Sequence, residues 1–60
     1  MKQISRHEAE NLFQEFEILS SKVESDASGL KVMLQFSEQE ACVVHYSHVD
    51  GAKTYYLDRV

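Results

Sequence analysis

The dipeptide Asp50-Gly51 interrupts two runs of residues that both have the composition of β-strands, Ala41–Val49 and Ala52–Val60. A type I′ turn requires positive φ at both central residues, so Asp-Gly between strand-like segments is the strongest short-range hairpin signal in a sequence. A turn at this point fixes the antiparallel register. The expected pairs are Val49 with Ala52, His48 with Lys53, Ser47 with Thr54, Tyr46 with Tyr55, His45 with Tyr56, and Val44 with Leu57.

A helix is predicted to begin after Ser5, because the segment from Ser5 to Glu8 fits the capping box. In this motif the serine hydroxyl accepts from the Glu8 amide, and the glutamate reaches back to the serine amide. Apolar residues then recur at alternating spacings of three and four, which places them on one helical stripe. The stripe comprises Ala9, Leu12, Phe16, Leu19 and Val23, with Phe13 at its edge. We expect it to pack on a sheet rather than in a coiled coil, whose seam usually extends over about three or four heptads.

A further strand is predicted at Leu30–Phe36, where apolar and polar residues alternate. A second hairpin then joins this strand to Cys42–Val49. An odd loop centred on Gln39 places apolar residues opposite one another, whereas a loop over Ser37–Glu40 would shift the pairing by one residue and mix the faces. The odd loop pairs Phe36 with Cys42, Leu34 with Val44, and Val32 with Tyr46.

These segments predict one small α+β domain over residues 1–60, with an N-terminal helix packed on a three-stranded antiparallel β-meander (α-β-β-β). Leu30–Phe36 and Ala52–Val60 would be its edge strands, either of which could pair with another chain. The inner face, under the helix, would hold Leu30, Val32, Leu34, Phe36, Cys42, Val44, Tyr46, Tyr55 and Leu57. The outer face would hold Met33, Val43, His45, Ser47, Val49, Thr54, Tyr56, Asp58 and Val60.

The outer face is the predicted partner-binding surface, because no segment is left to cover it and its Met and aromatic residues are typical of protein interfaces. The alternative is a sheet face that simply contacts water, as antiparallel sheets commonly do. The small size of the chain favours self-association or a partner, since about 60 residues bury too little surface for a large stability. The predicted binding residues on this face are Met33, Val43, His45, Tyr56 and Val60.

An acidic row is predicted on the helix, because Glu10, Glu17 and Glu24 recur every seven residues. Glu10 and Glu17 would be its partner-binding residues, in a row that could mimic phosphates. The alternative is a solvated helix face that supplies solubility.

Catalytic and metal sites are not expected. His45 and His48 would point to opposite faces of a strand, and the lone Cys42 has no histidine base near it on its own face. A single cysteine forms no internal disulfide, and the chain shows no zinc-binding spacing, so we expect no enzyme activity and no cofactor. The polar start lacks the pattern of a signal peptide, and no apolar run approaches the roughly 20 residues of a membrane span. We therefore expect a cytoplasmic protein with no membrane contact.

The function favoured by these features is a non-catalytic protein-protein interaction module, a regulator, inhibitor or adaptor that forms a homodimer or larger homo-oligomer through its sheet. The alternative is a nucleic-acid-associated module, because a helix followed by three strands resembles part of the double-stranded RNA-binding domain. That domain adds a second helix and a basic surface. A net charge of −4 and dispersed basic residues disfavour nucleic acid as a ligand for this chain.

Overall fold

The structure is a computed structural model that describes residues 1–59. Its elements are β1 (Lys2–Ile4), α1 (Arg6–Glu15), β2 (Ser20–Ser25), β3 (Gly29–Gln35), β4 (Glu40–Ser47) and β5 (Lys53–Arg59). The strands form one five-stranded antiparallel sheet in the order β1-β5-β4-β3-β2. The α+β class is therefore confirmed. The three-stranded α-β-β-β topology is wrong, because β1 and β2 extend the meander at its two edges.

The helix begins where the capping box predicts. The Oγ atom of Ser5 accepts a hydrogen bond from the Glu8 amide at 3.1 Å, and Ser5 itself has extended φ and ψ angles. The Glu8 carboxylate lies 3.5 Å from the Ser5 hydroxyl, so its contact is with the side chain of the cap. The stripe residue nearest this end, Ala9, is fully buried.

The helix ends earlier than its apolar stripe predicts. Phe16 already has strand-like angles of −117° and 143°, and its amide donates the last helical bond to the Leu12 carbonyl at 2.9 Å. The continuation of the helix through Leu19 and Val23 is therefore wrong. The Leu19 amide donates to the Gln35 carbonyl at 2.7 Å, and Val23 pairs with Val32. Pairing with β3 supplies hydrogen-bond partners for the backbone groups of this segment. Such tertiary pairing overrides a weak helical preference.

The connection between β2 and β3 is built around Asp26. Its carboxylate accepts from the Ser28 hydroxyl at 2.6 Å and from the Ser28 and Gly29 amides at 2.8 and 3.0 Å. These bonds lower the pKa of Asp26, with the Ser28 hydroxyl as the largest cause. Gly29 follows where the chain passes close to β4, and a Cβ atom there would overlap the Tyr46 carbonyl oxygen. The connection therefore requires both the acceptor and the missing side chain.

The β3–β4 connection has an odd number of residues, as predicted, but its centre is Glu38 rather than Gln39. The Phe36 amide donates to the Glu40 carbonyl at 3.0 Å, so the loop is 37–39. Leu34 pairs with Cys42 instead of Val44, a shift of two residues. The Ser37 hydroxyl accepts from the Gln39 and Glu40 amides at 3.2 and 3.1 Å, which stabilises the tighter loop.

The β4–β5 connection is wider than the predicted two-residue turn. The Ser47 amide donates to the Ala52 carbonyl at 2.9 Å, which leaves 48–51 as the loop. Gly51 has a φ of 72°, but Asp50 does not have a positive φ, so the type I′ turn is wrong. The Asp50 carboxylate instead accepts from the Ala52 amide at 2.9 Å, and Tyr46 pairs with Lys53 rather than Tyr55. This register is again shifted by two residues.

Both shifts are even, so each strand keeps the face that the alternation predicts.

The core lies beneath α1, where Ile4, Ala9, Phe36 and Cys42 form the buried cluster. Two predicted edges are wrong, since β3 lies between β2 and β4, and β5 lies between β1 and β4. The side chains packed against the cluster are Leu12, Phe13, Val44, Tyr55 and Leu57.

Candidate interaction surface

The helix covers only part of the inner face of the sheet. It packs against β5, and its Phe13 and Phe16 rings contact Phe36, with ring centroids 6.0 and 6.1 Å apart. The inner face of β3 and the adjoining half of β4 extend beyond it. We call this uncovered area the open shelf. It consists of Leu30, Val32, Leu34, Val44 and Tyr46.

The open shelf is a shallow apolar concavity. Its aliphatic side chains are half-buried, and Tyr46 is 36% exposed. The concavity has a volume of about 490 Å³, and Phe13, Tyr55 and Lys53 complete its walls. Branched and aromatic side chains at this exposure leave apolar area in water, which is what a binding surface of a protein offers a partner.

Val23 continues the open shelf toward the sheet edge, and Leu19 immediately precedes the edge strand β2. Leu19 is 65% exposed and Val23 is 63% exposed. Val23 pairs directly with Val32, and directly opposed residues of an antiparallel pair share a face of the sheet. The apolar surface therefore extends from β4 across β3 to the edge strand β2.

The edge strand β2 borders this surface. Every residue of Ser20–Ser25 is exposed, and β3 is its only neighbour in the described sheet. On the outer face, the Nζ atom of Lys22 lies 3.4 Å from Oε1 of Glu24, and Glu24 is opposite Lys31. A six-residue strand of this kind presents unpaired backbone donors and acceptors to any second strand.

The outer face, which the sequence predicts as the binding surface, is more closed than expected. Val43 is only 1% exposed, because it lies between Met33 and Tyr56 in the ladder and neighbouring side chains cover it. A concavity of about 250 Å³ brings Val43, His45 and Tyr56 together with Met1 and Lys31. His45 pairs with Thr54 rather than Tyr56. Val60, the remaining residue of that prediction, lies outside the described residues. The binding role of this set stays a prediction.

The acidic helix row is wrong as a structure. Glu10 is on α1, Glu17 follows the end of the helix, and Glu24 is on β2, so the three carboxylates share no helix face. Glu10 accepts from the Nε atom of Arg6 at 3.0 Å, an exposed pair one helical turn apart. What remains of the prediction is acidic character at separate places on the surface.

Among residues 1–59, the cysteine and the two histidines of the β4 region lie in different surroundings. Cys42 is buried in the core, and its burial raises the pKa of the thiol. His45 lies on β4, while the His48 ring lies edge-on to the Tyr46 ring at 6.1 Å between centroids. Within residues 1–59, no three His, Cys, Asp or Glu side chains are grouped as a metal site would require.

The basic residues of the sheet are divided between its faces. Lys31 lies beside the outer concavity, Lys53 beside the open shelf, and the Nε atom of Arg59 is 3.4 Å from the Glu40 carboxylate. The partial likeness to a double-stranded RNA-binding domain is also lost, because a strand precedes the helix and four strands follow it.

The sequence reasoning missed β2 and the open shelf, although a signal for the strand was present. Charged residues occupy alternate positions at Lys22 and Glu24, whereas Leu19, Ser21, Val23 and Ser25 are uncharged. This is the period of a strand, weakened by serine and masked by the helical spacing of the apolar residues.

In comparisons with known proteins, no family model, curated protein or solved structure matches the chain. Among the described residues, there is no helix with the length and apolar character needed to cross a membrane.

Proposed function

We propose that this chain is a small, acidic, non-catalytic protein-interaction module that self-associates through its sheet and acts on a protein partner as a regulator, inhibitor or adaptor. One observation carries the proposal: α1 stops at Glu15 and leaves the open shelf uncovered beside β2, whose outer edge has no neighbouring strand in the described sheet. The occupant that we propose for this region is a second copy of the chain.

The small core supports self-association. A chain of this length buries only about 60% of the surface that its unfolded form exposes. Each additional Å² of apolar surface removed from water contributes roughly 25 cal/mol. Association through the open side of the sheet would therefore add burial that the monomer lacks. The hydrophobic residues that are buried among residues 1–59 are Ile4, Ala9, Phe36, Ala41, Cys42 and Val43.

The test is sedimentation velocity of the wild-type chain over a wide range of concentrations, beside two matched variants. Val32→Glu places a carboxylate in the open shelf, and Met33→Glu places one at the adjacent position on the outer face. Both side chains are half-buried on the same strand. We expect a concentration-dependent oligomer in the wild type, weakened at least tenfold by Val32→Glu and much less by Met33→Glu.

A third variant separates binding from folding. Leu19→Glu changes a side chain that is 65% exposed, so the monomer should retain its circular dichroism spectrum while association weakens. A wild type that stays monomeric throughout would contradict self-association. Loss with Met33→Glu and retention with Val32→Glu would transfer the interface to the outer face.

The partner is tested by capture of the tagged chain from its host lysate, with and without nuclease, against Val32→Glu. A single protein recovered in both conditions and lost with the variant supports the module. Recovery that disappears with nuclease would instead support the nucleic-acid alternative.

A further inference from the structure

We infer that two copies of this chain pair through their β2 strands, antiparallel about a two-fold axis at Val23, to form one continuous ten-stranded sheet. In this register Val23 is opposite the partner's Val23, and Lys22 is opposite the partner's Glu24. The inference rests on the proposed self-association and specifies its contact as the open edge of the sheet, with the two open shelves side by side on one face. Three independent properties of β2 support it.

The first property is the direction of the free backbone groups. The Asp26 amide donates to the Gly29 carbonyl at 3.0 Å, so this is a hydrogen-bonded pair of the β2–β3 ladder. Such pairs alternate with non-hydrogen-bonded pairs along an antiparallel ladder. Lys22 and Glu24 therefore bond to β3. The N–H and C=O groups of Ser21, Val23 and Ser25 point to the open edge.

The second property is charge. Antiparallel pairing that keeps the faces and uses these free groups can be centred on any residue of β2. Centring on Lys22 or Val23 overlaps five residues of each strand, and every other centre overlaps three or fewer. Centring on Lys22 places two lysines opposite each other, and centring on Glu24 places two glutamates opposite each other. Like charges directly opposite are destabilising. Only the pairing centred on Val23 sets each lysine against a glutamate, at both symmetry-related positions.

The outer face then carries alternating charge across the new junction. Glu24 is opposite Lys31 on β3, and in the dimer it also faces the partner's Lys22. These side chains belong to non-hydrogen-bonded pairs of the new ladder, which bring opposed side chains closest together. The intrachain Lys22–Glu24 contact of 3.4 Å becomes part of a four-charge group.

The third property is the apolar inner side of the junction. Within one chain Val23 is opposite Val32, and Val32 is opposite Val44, so the two-fold axis produces an unbroken row of six valines across the centre of the sheet. Val23 is 63% exposed in the single chain, and this row shields it. A two-fold axis perpendicular to the sheet also keeps both helices on one side.

The contact is small, because β2 contributes only the five residues from Ser21 to Ser25 to each side. Interfaces that bury less than about 1,200 Å² in total belong to weak or transient complexes. The dimer is therefore expected to dissociate on dilution, and its affinity should be sensitive to charge at the junction and to salt.

The test uses charge reversal at the two paired positions, Lys22→Glu and Glu24→Lys. Each single variant places like charges opposite each other twice, so each should dimerise about tenfold more weakly than the wild type. A mixture of the two variants places opposite charges together at both positions. We expect sedimentation velocity to show heterodimers at concentrations where each variant alone is monomeric. The double variant should recover wild-type dimerisation.

Arg6→Glu and Glu10→Lys are the matched controls, because they make the same changes in net charge on an exposed ion pair of α1. Neither these variants nor their mixture should change dimerisation by more than about twofold. Circular dichroism checks the fold of every variant.

Dimerisation that is unchanged in both β2 variants would overturn the edge pairing, and so would a mixture that shows no gain. If Val32→Glu abolishes association in that case, self-association through the sheet survives and only the β2 geometry fails. A wild type that is monomeric at all concentrations would overturn both proposals.

Discussion

The covered and uncovered parts of the inner sheet face have the same kind of side chains and different surroundings. Beneath α1, Phe36 is 9% exposed and Cys42 is fully buried. Beyond the helix, Leu19 and Val23 are more than 60% exposed, although Val23 lies on the same side of the sheet. The difference is the length of the helix, which covers one part of the face and ends before the other. An apolar pattern therefore identifies a face, whereas burial depends on the element that covers it.

The largest expected effect on stability comes from removing one apolar side chain from the covered part, compared with removing one from the uncovered part. Phe36→Ala removes the ring that packs against Phe13 and Phe16, and we expect a loss of about 3 kcal/mol or more in the free energy of unfolding. Leu19→Ala should change it by less than about 0.5 kcal/mol, because exposed positions contribute little. Urea unfolding at low protein concentration, where association is weak, measures both values. Equal losses would mean that Leu19 is covered in the monomer.

An intermediate loss in the free energy of unfolding is expected from weakening α1, the helix that covers the inner face. Ser5→Ala removes the acceptor of the Glu8 amide at the start of α1 and should cost about 1 kcal/mol. Amide exchange should accelerate in α1 more than in β2, since the contacts of β2 are with β3. Ser20→Ala is the matched control, because its exposed hydroxyl makes only a 3.4 Å contact with Gln35, and it should be nearly neutral. A neutral Ser5→Ala would show that packing alone holds the helix.

The smallest effect on stability is expected at acidic pH, from Asp26 in the connection between β2 and β3. Hydrogen bonds from Ser28 and Gly29 lower the pKa of Asp26 below its ordinary value of 3.8. Its carboxylate therefore stabilises the β2–β3 connection above that value, and the contribution is lost as the pH falls through the lowered pKa. Asp26→Asn should remove this dependence, so the wild type should lose stability more steeply than the variant below about pH 4.

Urea midpoints measured at several pH values for both proteins check this expectation. Asp50→Asn is the parallel variant, because the Ala52 amide lowers the pKa of Asp50 in the β4–β5 connection. A wild type and an Asp26→Asn variant with the same pH dependence would contradict the role of the carboxylate.

Sequence reasoning located the start of the helix and the two faces of the sheet, because these depend on local chemistry. Ser5 and Glu8 are close enough to cap a helix without tertiary help. The alternation in Leu30–Phe36 defines a face wherever the neighbouring strand pairs. The end of the helix was not accessible in this way, because Phe16 is neither glycine nor asparagine and carries no stop signal.

The edge strands and the registers were hidden for different reasons. β1 has three residues, of which only Ile4 is buried, so it has no period to detect. The registers depend on side chains that bond within the loops, such as Ser37 and Asp50. Because the apolar spacing predicts helix where β2 lies, it directs the candidate site to the outer face and places the open shelf in the core.

The even shifts in both hairpins have a consequence for the lengths that this chain can tolerate. A loop that gains or loses two residues moves its strand along the neighbour while every side chain keeps its side. One residue inserted into 48–51 and absorbed by a slip of β5 would instead turn Tyr55 and Leu57 away from the helix and Tyr56 toward it. Insertions and deletions in these hairpins should therefore be accepted in pairs and rejected singly, which makes loop length in this sheet a matter of parity rather than of size.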